Sequence, residues 1–209
     1  MPYPVGHRQR VKERIVRSAQ ALFNRHGFDE VSIDDVMARA GLTRGGFYSY
    51  FKTKDDLYAE AVVLAVTDHP ARRWGDPTAD LSASDAAEQI VRTYLSKQHF
   101  DDVEGSCPMV ALPSDVSRSG VKVRRAFEEV FKGMVAVIER GLSGGRRGGR
   151  DRALAVAALS VGGMVVSRAI VNAELAEALR VAATRFALQL GAWRPLPKRM
   201  RGRARHRKR

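Results

Sequence analysis

Val31 to Leu57 reads VSIDDVMARAGLTRGGFYSYFKTKDDL, and the spacing inside this stretch decides the fold. Ile33, Val36, Met37 and Ala40 stand at i, i+3, i+4 and i+7, which places them on one face of a short helix. Ser32 occupies the capping position, and Asp35 three residues later completes a weak capping box. Gly41 closes that helix. Thr43 is placed to cap the next one, whose buried face is Phe47 and Phe51. Thr53 then precedes Lys54, Asp55 and Asp56, so it caps a fourth helix that buries Leu57, Ala61 and Leu64. Upstream, Val11, Ile15, Ala19, Leu22 and Phe23 fall three or four apart on a first helix that ends at Gly27.

Two short helices joined by the tight turn Gly41-Leu42-Thr43 form an arrangement in which one helix braces another lying in a DNA groove. The side chains suit that geometry. Gly45 and Gly46, in the first turn of the second helix, have nothing to hold a phosphate or a base edge away. Arg44 offers a fork for guanine or phosphate. Tyr48 and Tyr50 supply hydroxyls and rings that reach thymine methyls or phosphates, although an aromatic in a short helix also serves simply as core. Lys52 and Lys54 stand where a helix start and positive side chains together attract phosphate.

Outward from this segment, His69 to Asp80 carries two prolines and a glycine, which marks a linker or boundary. Helical periodicity resumes with Ala87, Ile90, Val91, Tyr94 and Leu95, and again over Val123, Phe127, Val130, Phe131, Met134 and Ile138. Cys107 to Arg118 reads as helix kinked at Pro113. Ser143 to Arg150, SGGRRGGR, reads as a flexible turn; it lacks the Gly-Lys-Ser/Thr ending of a phosphate loop. Two helices follow, near Arg152 to Val171 and Ala173 to Trp193. The first is apolar nearly all round and so needs cover on every side, which a second subunit would supply. The second has a stripe of Leu175, Leu179, Ala182, Phe186 and Leu190. With no useful strand alternation and no internal repeat, the fold class is all-α.

The stretch quoted at the outset resembles the helix-turn-helix signature of the tetracycline-repressor (TetR) family, with matching positions that include Phe23, Gly27, Ser32, Ile33, Ala40, Gly41, Thr43, Gly45, Tyr48, Phe51, Lys54 and Leu57. The likeness covers about 47 residues, Val11 to Leu57. It implies an all-helical homodimer on a palindromic operator, with Ser32, Thr43, Arg44, Gly45, Tyr48, Tyr50 and Lys54 as DNA contacts; at the position of Tyr50 the family more often has histidine. The domains expected are 1–57 for DNA binding, 58–195 for effector binding and dimerisation, and 196–209 as a basic, disordered tail. An unidentified small-molecule effector is implied, and candidates for its pocket are Tyr94, Phe100, Cys107, Met109, Phe127 and Phe131, which are equally what an ordinary core contains. GSCPMVALPSDVSR and GGMVVSRAIVNAELAEALR resemble a branch of the family that senses small or electrophilic molecules, although Ser106 stands where glycine is usual.

The totals agree with this reading and exclude others. Of the formal charge of +13, eight positive charges lie in KRMRGRARHRKR, Lys198 to Arg209, leaving +5 for the rest. That tail reads either as an arm adding non-specific phosphate attraction or as a solubility tail. The single Cys107 allows no intramolecular disulfide and fits a cytoplasmic location. As the cap of a helix it is either activated by the helix dipole or an inert small hydrophobe. The uncharged run Ala153 to Ser167, at 15 residues, is shorter than the ~20 needed to cross a bilayer; it reads as a buried helix, and no membrane partner is expected. His7, His26, His69, His99 and His206 show no paired metal spacing, and no serine sits in a nucleophile elbow, so neither enzyme, metal nor cofactor is expected. The rival is an architectural or RNA-binding protein that uses charge without reading sequence.

Overall fold

The computed structural model describes residues 6–67, 83–142 and 149–193. The expected linker His69 to Asp80, most of the SGGRRGGR turn and the basic tail lie outside the described residues. Those described form helices with no strand. Helix α1 runs His7–His26, α2 Ile33–Arg39, a 3-10 helix Arg44–Ser49, and α3 Lys54–Thr67. From Ala83 onward come α4 Ala83–Tyr94, α5 Lys97–Asp101, α6 Pro108–Ala111, α7 Pro113–Arg118, α8 Val121–Gly141, α9 Gly149–Ala169 and α10 Ala173–Gly191.

The local signals act as their chemistry requires. Ser32 caps α2: its Oγ accepts from the Asp35 amide at 3.1 Å while the Asp35 carboxylate accepts from the Ser32 amide at 2.8 Å. Thr53 and Asp56 repeat the exchange at the start of α3, at 3.1 and 3.0 Å. At the end of α2, Gly41 takes φ 66°, its amide bonds Ala38 O at 2.9 Å, and Leu42 N bonds Met37 O at 2.8 Å. This Schellman exit needs a residue at ease with positive φ, and it turns the chain sharply into the next element. That element differs from the expectation in two ways. It is a 3-10 helix, and Thr43 stands at its cap without a side-chain hydrogen bond. Two successive glycines lend little to an α-helix, and six residues fit the tighter winding.

Phe23 and Tyr58 pack edge-on at 5.0 Å and Phe28 stacks on Tyr58 at 4.6 Å, which joins α1 to α3 in one small aromatic core with Ile15, Phe47 and Leu57. Helix α3 runs through the expected boundary at residue 57 without a break and packs on α8. Helix α8 is the axle of the remainder: Val123, Val130, Val135 and Ile138 are buried against neighbours that include α3, α4 and α9. A sharp stop follows α10. Ala192 turns left-handed at φ 51°, the Trp193 ring fills the space left by the missing Cβ of Gly191, and Nε1 donates to Gly141 O at 2.9 Å.

Four departures from the sequence reading are informative. Cys107 to Arg118 is two short helices separated at Leu112, and a further short helix, α5, precedes them. Gly149 and Arg150, read as turn, open α9. Helix α9 runs 21 residues and is long and apolar enough to cross a membrane by length and composition. It nonetheless packs against α4, α6, α8 and α10. The fourth departure concerns the stripe on α10. Its buried face is Ala176, Arg180, Ala183, Ala187 and Gly191; Gly163 of α9 comes so close to Ala183 that only a small residue fits at that crossing. Leu175, Phe186 and Leu190 are left outward, with Val166 and Leu154 of α9 exposed as well.

Candidate DNA-binding surface

Phe47 anchors the 3-10 helix in the core and is fully buried, with Phe51 beside it at 5.6 Å between ring centres. That anchoring turns the intervening side chains outward. Tyr48 is 61% exposed, its ring edge-on to Phe47, so the alternative that it fills the core is set aside. Around Gly45 there is open space, where a Cβ would meet nothing within 4 Å; Gly46 instead lies over Met37 at 3.6 Å. Of the two glycines, Gly45 is therefore the one that leaves the surface bare. Ser32, Thr43 and Arg44 are also exposed and border the same strip.

Besides the capping hydroxyl of Ser32, two of the expected contacts are already engaged. The Arg44 guanidinium forms an ion pair with Asp34 of α2, both ends well exposed. Such a pair is worth little in water and opens readily to a phosphate. Lys54 is placed differently from the other six: its ammonium bonds Phe28 O and lies 4.2 Å from the centre of the Phe28 ring. Partial burial there lowers its pKa despite nearby Asp29 and Asp55. The side chain braces α3 against the α1–α2 loop. Its neighbour Lys52 is exposed.

The sequence reading passed over Arg8. Its guanidinium donates to Ser49 O at 2.9 Å and lies 5.9 Å from the Tyr50 ring centre, so the start of α1 stands beside the end of the 3-10 helix. The only sequence signal is the basic run HRQRVK, which does not indicate which cation meets which element.

A loop, residues 102–107, ties this surface to the rest of the chain. Glu104 pairs with Arg25 of α1 and Arg39 of α2, each at 2.7 Å, and the two guanidinium groups, Arg39 first, hold its carboxyl below the usual range. Asn24 donates to Glu104 O and Ser106 O at 3.0 and 2.7 Å. At the other side, Phe28 N donates to Asp115 at 3.0 Å. Gly27, at φ 81°, lets that carboxylate approach where a Cβ would stand 3.0 Å from it.

Of the expected pocket residues, Tyr94, Cys107 and Met109 form closed core, whereas Phe100, Phe127 and Phe131 are half-buried on its edge. Cys107 does cap α6, but the helix has four residues and burial pushes the thiol up, so the activated-thiolate alternative is not favoured in this state. Beside it, the Tyr94 hydroxyl finds no oxygen or nitrogen partner among the described residues. His99 is fully buried between Tyr94 O, 2.7 Å from Nδ1, and the Cys107 amide, 3.3 Å from Nε2. An amide that donates to Nε2 fixes the neutral tautomer with the proton on Nδ1. Arg168 closes the cluster from α9 on Ser106 Oγ at 2.8 Å and on the carbonyls of His99, Phe100 and Asp102. Among the described residues no cluster of metal-binding side chains occurs.

The family model for bacterial regulatory proteins of the tetR family matches residues 15–61, from the middle of α1 through α2 and the 3-10 helix to the first half of α3. Residues 15–61 therefore carry a TetR-type domain. Curated relatives include the uncharacterised regulator YxaF of Bacillus subtilis, 25% identical over 63% of this chain and 69% of its own length. Another is the regulator AcrR of Shigella flexneri, 32% identical over 33% of this chain and 35% of its own length. Among solved structures, reduced Escherichia coli NemR superposes with a TM-score of 0.66 at 16% identity, over 86% of this chain and 96% of that one, a likeness of fold. The TetR-type domain is that of a sequence-specific DNA-binding transcriptional regulator.

Proposed function

We propose that this TetR-family chain works as a cytoplasmic, ligand-responsive repressor, a homodimer whose two 3-10 helices enter successive major grooves of a palindromic operator. The carrying observation is the bare strip from Thr43 to Tyr50, open at Gly45 and flanked by Arg8, Arg44 and Lys52. Thr43, Arg44, Gly45 and Tyr48 form its centre, Ser32 and Tyr50 its margins, and Lys54 acts by bracing. Residues 1–57 constitute the DNA-binding part and 58–195 the effector and dimer part. The two are joined by continuous α3 and by the Glu104 and Asp115 contacts.

The outward apolar residues of α9 and α10 support dimerisation, since Leu154, Val166, Leu175, Phe186 and Leu190 expose on neighbouring helices what a second copy would cover. Grooves on one face of DNA recur about every 34 Å, so the dimer must hold its two strips near that spacing. The 102–107 loop supports effector response: anything that shifts Arg168 or Cys107 moves Glu104, and with it α1 and α2. A ligand does so only through different affinities for the two arrangements, typically ~1 to 3 kcal/mol of coupling. Selection of bound duplexes from a random pool tests the proposal. A two-fold symmetric site should emerge, and affinity that ignores sequence and follows only salt would instead support the architectural rival.

A further inference from the structure

A cleft of about 570 Å³ opens between the end of α4 and the side of α10, away from the DNA-binding strip and outside the Cys107 cluster, with only Phe100 of the residues considered above at its edge. Its size lies within the range of small-molecule sites. Leu95, Val181 and Leu188 supply an apolar floor, and four cations surround it: Arg92, Lys97, Arg180 and Arg185. Arg180 is the unusual one. It is 5% exposed, its Nε has no partner among the described residues, and Glu177 is the carboxylate bonded to it, with Asp101 acting on it from farther away; it also donates to Leu95 O at 3.2 Å and lies 4.7 Å from the Phe100 ring. A guanidinium keeps its charge when buried, so a charge this enclosed needs more neutralisation than one half-exposed glutamate and an aspartate already paired with Lys97 provide.

We propose that this cleft binds an organic anion with an apolar body, its carboxylate or phosphate head on Arg180 and its chain on Leu95 and Leu188. Glu177 sits where the head would go and is 55% exposed, free to swing into water as the ligand enters. Arg92 and Lys97 are paired with Glu88 and Asp101 at 2.7 and 2.6 Å, while Arg185 has the Phe186 ring and no carboxylate among the described residues. The rim therefore retains positive charge for an incoming anion. Val181 and Leu188 lie on the far side of α10 from Leu175 and Phe186, so a dimer built on that stripe leaves the cleft open.

Isothermal titration of the full chain without DNA tests this independently of the DNA-binding proposal. Decanoate should bind at least tenfold more tightly than decanol, and acetate should show no heat. Val181→Trp, at an exposed position, should fill the cleft and abolish decanoate binding while leaving the melting temperature unchanged. Lys97→Gln should weaken binding severalfold, and Arg180→Gln by tenfold or more. Should Arg180→Gln fail to fold, the two surface variants still decide. Absence of decanoate binding, equal affinity for decanol, or undiminished binding by Val181→Trp overturns the assignment. Operator binding retained in that event leaves the DNA-binding proposal standing.

Discussion

Replacing Phe186 by serine should separate the proposed dimer while sparing the fold. The side chain is 50% exposed on α10, and a phenylalanine carries roughly 200 Å², so about 100 Å² remains for a partner to cover. At about 25 cal/mol per Å² this is ~2.5 kcal/mol. A two-fold interface loses the contribution twice, so dimerisation should weaken by ~5 kcal/mol, between three and four powers of ten. The contact between the Phe186 ring and Arg185, at 5.0 Å on the surface, adds little to the stability of the single chain. Sedimentation equilibrium over nanomolar to micromolar concentrations reads the shift, and a thermal melt at a concentration where both proteins are monomeric reads the fold. Operator affinity should fall with the dimer. If the variant sediments as the parent chain does and still binds operator, the stripe is not the interface and the reasoning fails.

Four further outcomes follow from the geometry. Gly45→Val has room in the free protein and should keep the melting temperature within about 0.5 kcal/mol of stability, yet lower operator affinity at least tenfold; unchanged binding would remove Gly45 from the contact strip. Arg44→Ala should cost about 1 to 3 kcal/mol of operator binding, read by titration, and selectivity lost at one base pair distinguishes base reading from phosphate holding. Glu104 has a folded pKa below its ordinary 4.5, so its stabilising effect is full above that value and disappears as pH falls through the folded one. Acid melts of the parent should therefore drop more steeply below that point than those of Glu104→Gln, and parallel curves would show that the Arg25 and Arg39 pairs carry nothing. The buried, raised Cys107 thiol should resist iodoacetamide in the native state and react promptly in denaturant; rapid native alkylation would restore a sensor role.

The N-terminal part was legible because its signals are local. Ser32 with Asp35, Thr53 with Asp56, and Gly27 and Gly41 act through backbone groups no more than five residues away, so their chemistry is written in adjacent letters. The apolar spacing of Phe47 and Phe51 likewise fixes which residues between them face outward. Where helices are short, the same letters failed: the glycine pair after Arg44 weakens an α turn without specifying a 3-10 one, and nothing nearby distinguishes one kinked helix from two at Leu112.

By itself, then, the sequence determined the all-helical class, the ends of the first helices and the identity of the exposed strip, since each depends on periodicity and caps. Tertiary structure alone decided three matters. It turned Lys54 inward to Phe28, it set Arg8 beside Ser49 and Glu104 between Arg25 and Arg39, and it rotated the buried face of α10 away from the expected stripe. All three arise from contacts between segments far apart in the chain, and the last from the nearness of Gly163 to Ala183. That approach admits alanines and sends the larger leucines and Phe186 outward, a choice of face that periodicity cannot express because both faces of that helix repeat with the same spacing.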